Sequence, residues 1–301
     1  MPARRIVITA GASAALQLIT LALVETGDEV LLPDPSYPCN RHFVAAAGAR
    51  AVLLPTDAAS RFRLDAAHVE RAWNARTRGV LLASPSNPTG TSIAPNEMRR
   101  IVEAVRTRGG FTIVDEIYLG LSYDTTYGMS ALRHGDDVIV VNSFSKYFNM
   151  TGWRLGWLVL PDELAAPVEK LAQSLYICAS SLAQHAALAC FEPAAITEYE
   201  RRRAAFAERR DFIVPALNEL GLTVPVPPDG AFYAWVDCSA HAASSWDFCY
   251  AMMERAQVAL TPGRDFGPLH GERYLRLSFA SSMDALRDAV QRLRDVLVTR
   301  R

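Results

Sequence analysis

Seven short apolar runs, most of them separated by amphipathic segments, constrain the fold of this 301-residue chain more than any other feature. The runs, rich in Val, Ile and Leu, lie at residues 5–9, 29–32, 51–54, 79–82, 111–114, 137–141 and 155–159. Segments 13–24, 65–75 and 96–108 repeat their apolar residues with the period of a helix. Strands that alternate with helices predict an α/β fold: a seven-stranded, mostly parallel sheet in a three-layer α/β/α arrangement.

The pattern changes after Pro161, where helical segments 163–175 and 180–191 lead into a charged stretch, 196–220, that we expect to be broken at Pro215. Further on, β-type runs at 231–236 and 274–279 accompany helical segments at 246–256 and 283–298. This order predicts a large domain over 1–195 and a smaller C-terminal α+β domain over 196–301, joined by a long helix near 192–215.

Charge and cysteine usage exclude several classes of protein. The chain has 31 basic and 32 acidic residues, so it has no overall basic field for nucleic acid or an anionic membrane. Its five cysteines form no C-x-x-C pair and no metal-ligand spacing with histidine, which favours a cytoplasmic protein with reduced thiols and no metal site. Arg4 and Arg5 precede an apolar stretch that imitates a signal peptide, but polar residues interrupt it and no cleavage site follows.

Lysine is nearly absent from this chain, because only Lys146 and Lys170 are lysines among the 31 basic residues. A lysine can lose its proton and form a Schiff base, whereas arginine stays charged in proteins. Lys146 follows an apolar run directly, in Ser-Phe-Ser-Lys, while Lys170 lies within a helical segment. An isolated lysine is most often a solvated surface residue, and Lys170 fits that interpretation. Lys146 is the candidate for amine chemistry.

Polar segments follow several of the other runs, where the carboxyl ends of parallel strands bring ligands together. Gly11-Ala12-Ser13 leads from a strand into a helix and suits a phosphate, and Tyr37 ends a strand with an aromatic ring. The turn around Asn87 and the carboxylate of Asp115 follow two further runs. Each segment alone also fits an ordinary turn or packing role. A carboxylate at the end of a buried strand, however, requires a cationic partner.

Eight segments in order together resemble the class I/II aminotransferases, pyridoxal-phosphate enzymes of the aspartate aminotransferase fold (fold type I). They are Gly-Ala-Ser, Pro-Ser-Tyr, Asn-Pro-Thr-Gly, Asp-Glu-Ile-Tyr, Ser-Phe-Ser-Lys, Gly-Trp-Arg-Leu-Gly, Gly-Ala-Phe-Tyr and Arg-Leu-Ser-Phe. The resemblance covers essentially the whole chain and implies pyridoxal 5′-phosphate as the cofactor. It also implies a homodimer as the assembly.

The resemblance implies a role for each matching residue around the cofactor ring. Lys146 would form the internal aldimine, and Asp115 would hold the proton on the pyridine nitrogen. Tyr118 and Asn87 would hydrogen-bond the 3-oxygen of the ring, while Tyr37 would stack on the ring. Lys146, Asp115 and Tyr118 are therefore the expected catalytic residues.

Other residues would hold the phosphate and the substrate. Ala12, Ser13 and Ser143 would bind the phosphate together with Arg154, a charge-assisted donor. Arg276, with Asn87 beside it, would bind the α-carboxylate of the substrate. The reaction implied is a ping-pong transamination between an α-amino acid and a 2-oxo acid, with the amine of Lys146 moving the proton.

Relatives of this kind normally carry a substantial segment before the phosphate turn, whereas Met1 lies only ten residues before Gly11. We therefore expect a fragment, a misassigned start or a shortened enzyme, with substrate closure and dimer contacts affected. Three alternatives stay open. One is a β-lyase, decarboxylase or synthase on the same fold, another a non-catalytic aminotransferase-like binding domain, and the third a Schiff-base aldolase on a barrel. The sequence does not identify the amino donor.

Overall fold

The computed structural model describes residues 1–298 and contains a seven-stranded sheet in its first half. The strands are β1 (Ile6–Thr9), β2 (Glu29–Asp34), β3 (Arg50–Pro55), β4 (Thr77–Ala83), β5 (Phe111–Asp115), β6 (Val138–Ser143) and β7 (Gly156–Val159). Their spatial order is β1-β7-β6-β5-β4-β2-β3. Pairing is parallel from β6 through to β3, and β7 runs antiparallel to both of its neighbours. The prediction of a mostly parallel seven-stranded sheet is confirmed.

Helices connect and cover these strands. They are α1 (Ala12–Leu23), α2 (Pro38–Ala46), α3 (Ala66–Ala72), α4 (Pro95–Arg106), α5 (Asp162–Tyr176) and α6 (Ser181–Leu188). Their ends follow local chemistry: the Asp65 carboxylate accepts the His68 backbone N–H at the start of α3. Helix α4 begins at Pro95, whose missing N–H leaves no bond unmade in a first turn.

Alternating side chains of the strands divide the core into two layers, one on each face of the sheet. Ile113 of β5 packs in a cluster with α1, α2 and α5, whereas its neighbour Val114 packs in a cluster with α3 and α4. Ile113 and Val114 are both fully buried. The sheet is therefore the middle of three layers, as predicted.

The C-terminal part has a core and a sheet of its own. It comprises α7 (Pro193–Glu219), β8 (Tyr233–Asp237), α8 (Ser245–Ala256), β9 (Thr261–Pro262), β10 (Tyr274–Ser278) and α9 (Met283–Val298). The three strands are antiparallel in the order β8-β10-β9. Phe248, Leu275 and Phe279 lie in the core that these helices and strands share. The α+β character of this part is as predicted, and the division at residue 195 stays a prediction.

The expected break at Pro215 is wrong, because α7 continues through it to Glu219. Pro215 is exposed, so the carbonyl group that loses its helical partner lies on the solvent side. Ile213 and Leu217 on the opposite side are buried in the C-terminal core, and this packing overrides the low helix propensity of proline. Sequence reasoning also missed α2, which begins at Pro38, and the two-residue strand β9.

Candidate active site

A cavity of about 280 Å³ opens where the parallel strands end. Register pairs place Thr9, Gly156 and Ser143 side by side at this edge, next to the last residues of β4 and β5. The cavity is lined by Ala12, Ser13, Leu16, Tyr37, Ala83, Asn87, Asp115, Ile117, Tyr118, Ser145, Lys146, Thr151, Arg154, Tyr233 and Arg276. All the site residues predicted from the sequence therefore line one cavity, with the exception of Ser143.

The N-terminus of α1 forms one end of the cavity. Gly11 precedes the helix with a positive φ of 92° and has no side chain, so the first backbone N–H groups, which have no partner within the helix, also lack a side-chain cap. A Cβ at Gly11 would lie 2.7 Å from Nη2 of Arg154, so the glycine allows the guanidinium to approach the helix end. Arg154 donates to the carbonyl of Thr151 at 2.9 Å. Together these donors form an anion-binding corner.

Asp115 occupies the end of β5 and is almost completely buried. Its Oδ1 accepts the backbone N–H of Ile117 at 3.0 Å. Burial raises the pKa of this carboxyl to about 6, although the Ile117 N–H and the positive charge of Lys146 act in the opposite direction. A carboxylate in such surroundings attracts a cation into the cavity.

Lys146 follows β6 in the connection that leads to β7, and the same connection contains Arg154. Its Nζ lies 5.8 Å from the centre of the Tyr118 ring and 5.7 Å from that of Phe232. Burial, together with the positive charges of Arg276 and Arg154, lowers the pKa of this amine, while Asp115 opposes the change. A lowered pKa increases the fraction of free amine at neutral pH, which is the nucleophilic and basic form.

Arg276 projects from β10 into the cavity from the C-terminal sheet. Its Nη1 donates to Oδ1 of Asn87 at 2.9 Å, and Nη2 donates to the hydroxyl of Thr261 at 3.3 Å. The guanidinium lies over the rings of Tyr233, at 4.4 Å, and Phe266, at 4.9 Å. Its buried Nε has no hydrogen-bond partner within the described residues. This fixed guanidinium can bind a carboxylate.

Three tyrosines, Tyr37, Tyr118 and Tyr233, complete the cavity wall. The Tyr118 hydroxyl lies 3.0 Å from that of Tyr233, and burial raises the pKa of Tyr118 well above its usual range. Tyr37 is held in the wall near α1, where burial, followed by its contact with Cys39, raises its pKa to about 12. Tyr118 and Tyr37 therefore remain protonated at neutral pH.

Ser143 lies behind the cavity rather than in its wall. Its hydroxyl oxygen lies 2.9 Å from the Ser145 hydroxyl and 3.1 Å from the Leu155 carbonyl, so its single O–H can donate to one of the two, and it accepts the Ser145 backbone N–H at 3.0 Å. Ser145 itself lines the cavity and was missed by sequence reasoning, although it belongs to the same Ser-Phe-Ser-Lys segment. Tyr233 was also missed as a site residue, although its Gly-Ala-Phe-Tyr segment was noted.

A second cavity, of about 400 Å³, lies on the other side of Lys146. It shares Ser145, Lys146 and Thr151 with the first cavity and is otherwise lined by residues that include Phe206, Phe232 and three arginines of α7. The three are Arg201, Arg202 and Arg209. Lys146 therefore lines both cavities, one at the strand ends and one beside α7.

Comparison with known proteins identifies the family. The family described as aminotransferase class I and II matches residues 1–293. The chain belongs to this family. A valine–pyruvate aminotransferase of Mycobacterium tuberculosis is 37% identical to this aminotransferase over 289 residues, which cover 96% of this chain and 74% of the relative. A probable N-acetyl-LL-diaminopimelate aminotransferase of Bacillus subtilis is 39% identical over 292 residues, which cover 96% of this chain and 72% of the relative.

Solved structures agree with this assignment. A crystal structure of an aminotransferase from Mycobacterium tuberculosis superposes with a TM-score of 0.95 at 36% identity, covering 100% of this chain and 78% of that one. The protein is an aminotransferase and catalyses transamination. The relatives do not favour a lyase, decarboxylase, synthase or non-catalytic binding domain, and the open sheet excludes a barrel aldolase. Membership of this family implies pyridoxal phosphate as the cofactor.

Across residues 1–298, no group of three or more His, Cys, Asp or Glu side chains could hold a metal ion. No helix in the described part of the chain is long and apolar enough to cross a membrane. The five cysteines Cys39, Cys178, Cys190, Cys238 and Cys249 are free thiols.

Proposed function

We propose that this aminotransferase binds pyridoxal 5′-phosphate through Lys146 and transfers an amino group from an α-amino acid to a 2-oxo acid. The observation that carries the proposal is the pairing in one cavity of a buried carboxylate, Asp115, with an amine of lowered pKa, Lys146. When bound, the cofactor supplies an aldehyde that condenses with amines and a ring that withdraws electrons from the α carbon.

The residues of the cavity fit this group. Because Gly11 has no Cβ, the guanidinium of Arg154 can lie close to the N-terminus of α1. The two groups can therefore bind one phosphate together. Asp115 is buried with one backbone hydrogen bond and no counter-ion in contact within residues 1–298, and a protonated ring nitrogen would supply the missing positive charge. Ser13 and Ser145 line the cavity and can donate hydroxyl hydrogen bonds, with Ser143 holding Ser145 in place.

Each protein group has a distinct task in the proposal. Tyr118, protonated because it is buried, would donate to the 3-oxygen of the ring, and Tyr37 in the cavity wall would pack against the ring. Arg276 orients the substrate through its α-carboxylate, beside Asn87. The Nζ of Lys146, as a free amine, would accept the proton from the substrate α carbon and pass it to the former aldehyde carbon of the cofactor.

The test is an absorbance spectrum of the purified chain with pyridoxal phosphate, combined with an assay for 2-oxo acid product. We expect a visible band in the wild type that is lost in Lys146→Ala, and a fall in activity of at least about 10³-fold in that variant. Lys170→Ala, the other lysine of the chain, is the matched control and should keep both. A band of equal strength in Lys146→Ala would refute the assignment.

The proposal extends to the assembly and the location of the protein. Large apolar side chains are exposed from the end of α5 to the segment after α6, namely Leu175, Ile177, Leu182, Leu188 and Phe191. They adjoin an apolar groove of about 580 Å³ that Ile8 and Trp157 help to line. Monomers seldom expose such a surface, which supports a homodimer with a second copy covering it. The free cysteines support a cytoplasmic location.

A further inference from the structure

Tyr233 is the first residue of β8 and contacts two functional groups of the site at once. It is buried, and its hydroxyl lies 3.0 Å from the hydroxyl of Tyr118. The two rings meet edge to face, with centroids 5.7 Å apart and an interplanar angle of 83°. On β10, the adjacent strand, Arg276 lies with its guanidinium 4.4 Å from the centre of the Tyr233 ring.

We infer that Tyr233 is a positioning residue with two separable effects: its hydroxyl orients and polarises the hydroxyl of Tyr118, and its ring holds the guanidinium of Arg276. The inference rests on the proposed function, in which Tyr118 contacts the cofactor and Arg276 contacts the substrate. It adds a residue of the C-terminal sheet to the groups that set the properties of the cofactor.

The effect of the hydroxyl follows from the count of donors and acceptors. A phenol has one O–H and an oxygen that accepts, so a Tyr118 that donates to the 3-oxygen has only its acceptor side left. Tyr233 then supplies the O–H between the two rings. Hydrogen bonds in such a chain polarise one another, which makes Tyr118 a stronger donor. A stronger donor stabilises the deprotonated form of the group that it contacts, and lowers the pKa of that group.

The charged groups around this pair come from several elements. Asp115 and Arg276 both act on the titration of Tyr118, and the amine of Lys146 lies 5.8 Å from its ring centre. Removing one hydroxyl leaves all three of these charges in place. The variant Tyr233→Phe therefore isolates the hydrogen bond from the electrostatics of the cavity.

The effect of the ring depends on its face rather than on its hydroxyl. A guanidinium over an aromatic ring is held by the ring quadrupole and keeps its orientation with less loss of entropy when it binds a carboxylate. Phenylalanine preserves that face, whereas leucine removes it. Tyr233→Phe should therefore change the pKa of the visible band alone, whereas Tyr233→Leu should change both this pKa and KM.

The experiment is a pH titration of the visible band of the cofactor-loaded protein, together with steady-state kinetics for an α-amino acid. In Tyr233→Phe the bond from Tyr118 to the 3-oxygen is weakened by about 10–30% and not lost, so we expect the apparent pKa of the band to rise by about 0.1 to 0.5 unit. We expect KM to change less than about twofold. In Tyr233→Leu we expect the same rise and an increase in KM of about tenfold. Tyr250→Phe, at an exposed tyrosine of α8, is the control and should match the wild type.

The outcomes separate this inference from the proposed function. A wild type without the visible band would overturn both. A wild-type band whose pKa is unchanged in Tyr233→Phe would overturn the positioning role of the hydroxyl alone. An unchanged KM in Tyr233→Leu, in protein whose cofactor affinity and thermal unfolding match those of Tyr233→Phe, would overturn the role of the ring.

Discussion

Replacing Asp115 by asparagine should change the pH dependence of stability of the cofactor-free protein. Burial raises the pKa of this carboxyl from an ordinary value of 3.8 to about 6. The folded protein therefore holds the proton more tightly than the unfolded chain does. The contribution of Asp115 to stability is highest below about pH 4, falls as pH rises toward 6, and then stays lower by about 3 kcal/mol, at 1.36 kcal/mol for each pKa unit.

Asparagine has nearly the same shape, keeps an acceptor for the Ile117 N–H and carries no charge at any pH. It places a new amide N–H₂ in a buried position, but that cost does not vary with pH. The stability of Asp115→Asn relative to the wild type should therefore improve by about 3 kcal/mol between pH 4 and pH 8. With the cofactor bound, the wild type should be the more stable of the two proteins, because the asparagine of the variant has no charge to balance a protonated ring nitrogen.

Urea unfolding of the cofactor-free proteins at pH 4, 5, 6, 7 and 8 measures this difference. With an m-value of about 3 kcal/mol/M, the separation of the two midpoints should change by about 1 M across the range. Asp288→Asn, at an exposed aspartate of α9, serves as the control and should track the wild type within about 0.5 kcal/mol. If the free energies of unfolding of Asp115→Asn and the wild type differed by the same amount at pH 4 and at pH 8, the reasoning would be refuted.

Three further substitutions test the phosphate corner, the carboxylate site and the apolar surface. Gly11→Ala places a Cβ 2.7 Å from Nη2 of Arg154 at a φ of +92°, so we expect a loss of about 1–2 kcal/mol in urea unfolding and cofactor binding at least about tenfold weaker by titration. Arg276→Gln should raise KM for α-amino acids about 100-fold in steady-state assays, as for a lost charge-assisted pair, and an equal loss with an amine that lacks a carboxylate would contradict its role. Leu182→Glu, at a 77% exposed side chain, should halve the mass measured by light scattering, whereas Met253→Glu on α8 should not.

Sequence reasoning succeeded where one local pattern decides one structure. The seven apolar runs became seven strands within two residues of the predicted ends, because Val- and Ile-rich runs buried on both faces fit little else. The ends of these strands then located Asp115 and Lys146, since parallel strands bring their carboxyl ends to one edge. Composition singled out Lys146 in a chain where arginine supplies nearly every other positive charge.

Other features depend on tertiary packing that no local pattern encodes. Helix α7 passes Pro215 because Ile213 and Leu217 are buried on its far side, and that burial is set by a sheet formed later in the chain. The role of Tyr233 required knowing that β8 and β10 are neighbours. Ser143 and Ser145 share one segment, and only the direction of their hydroxyl groups distinguishes the residue in the wall from the residue behind it.

The connection between β6 and β7 contains both Lys146 and Arg154, whereas Arg276 and Tyr233 belong to the antiparallel sheet. Most groups assigned to the cofactor thus belong to the seven-stranded sheet and its connections, whereas the group assigned to the substrate carboxylate belongs to the antiparallel sheet. The distance between the amine of Lys146 and the guanidinium that binds the substrate carboxylate therefore depends on how the antiparallel sheet packs against the ends of the parallel strands.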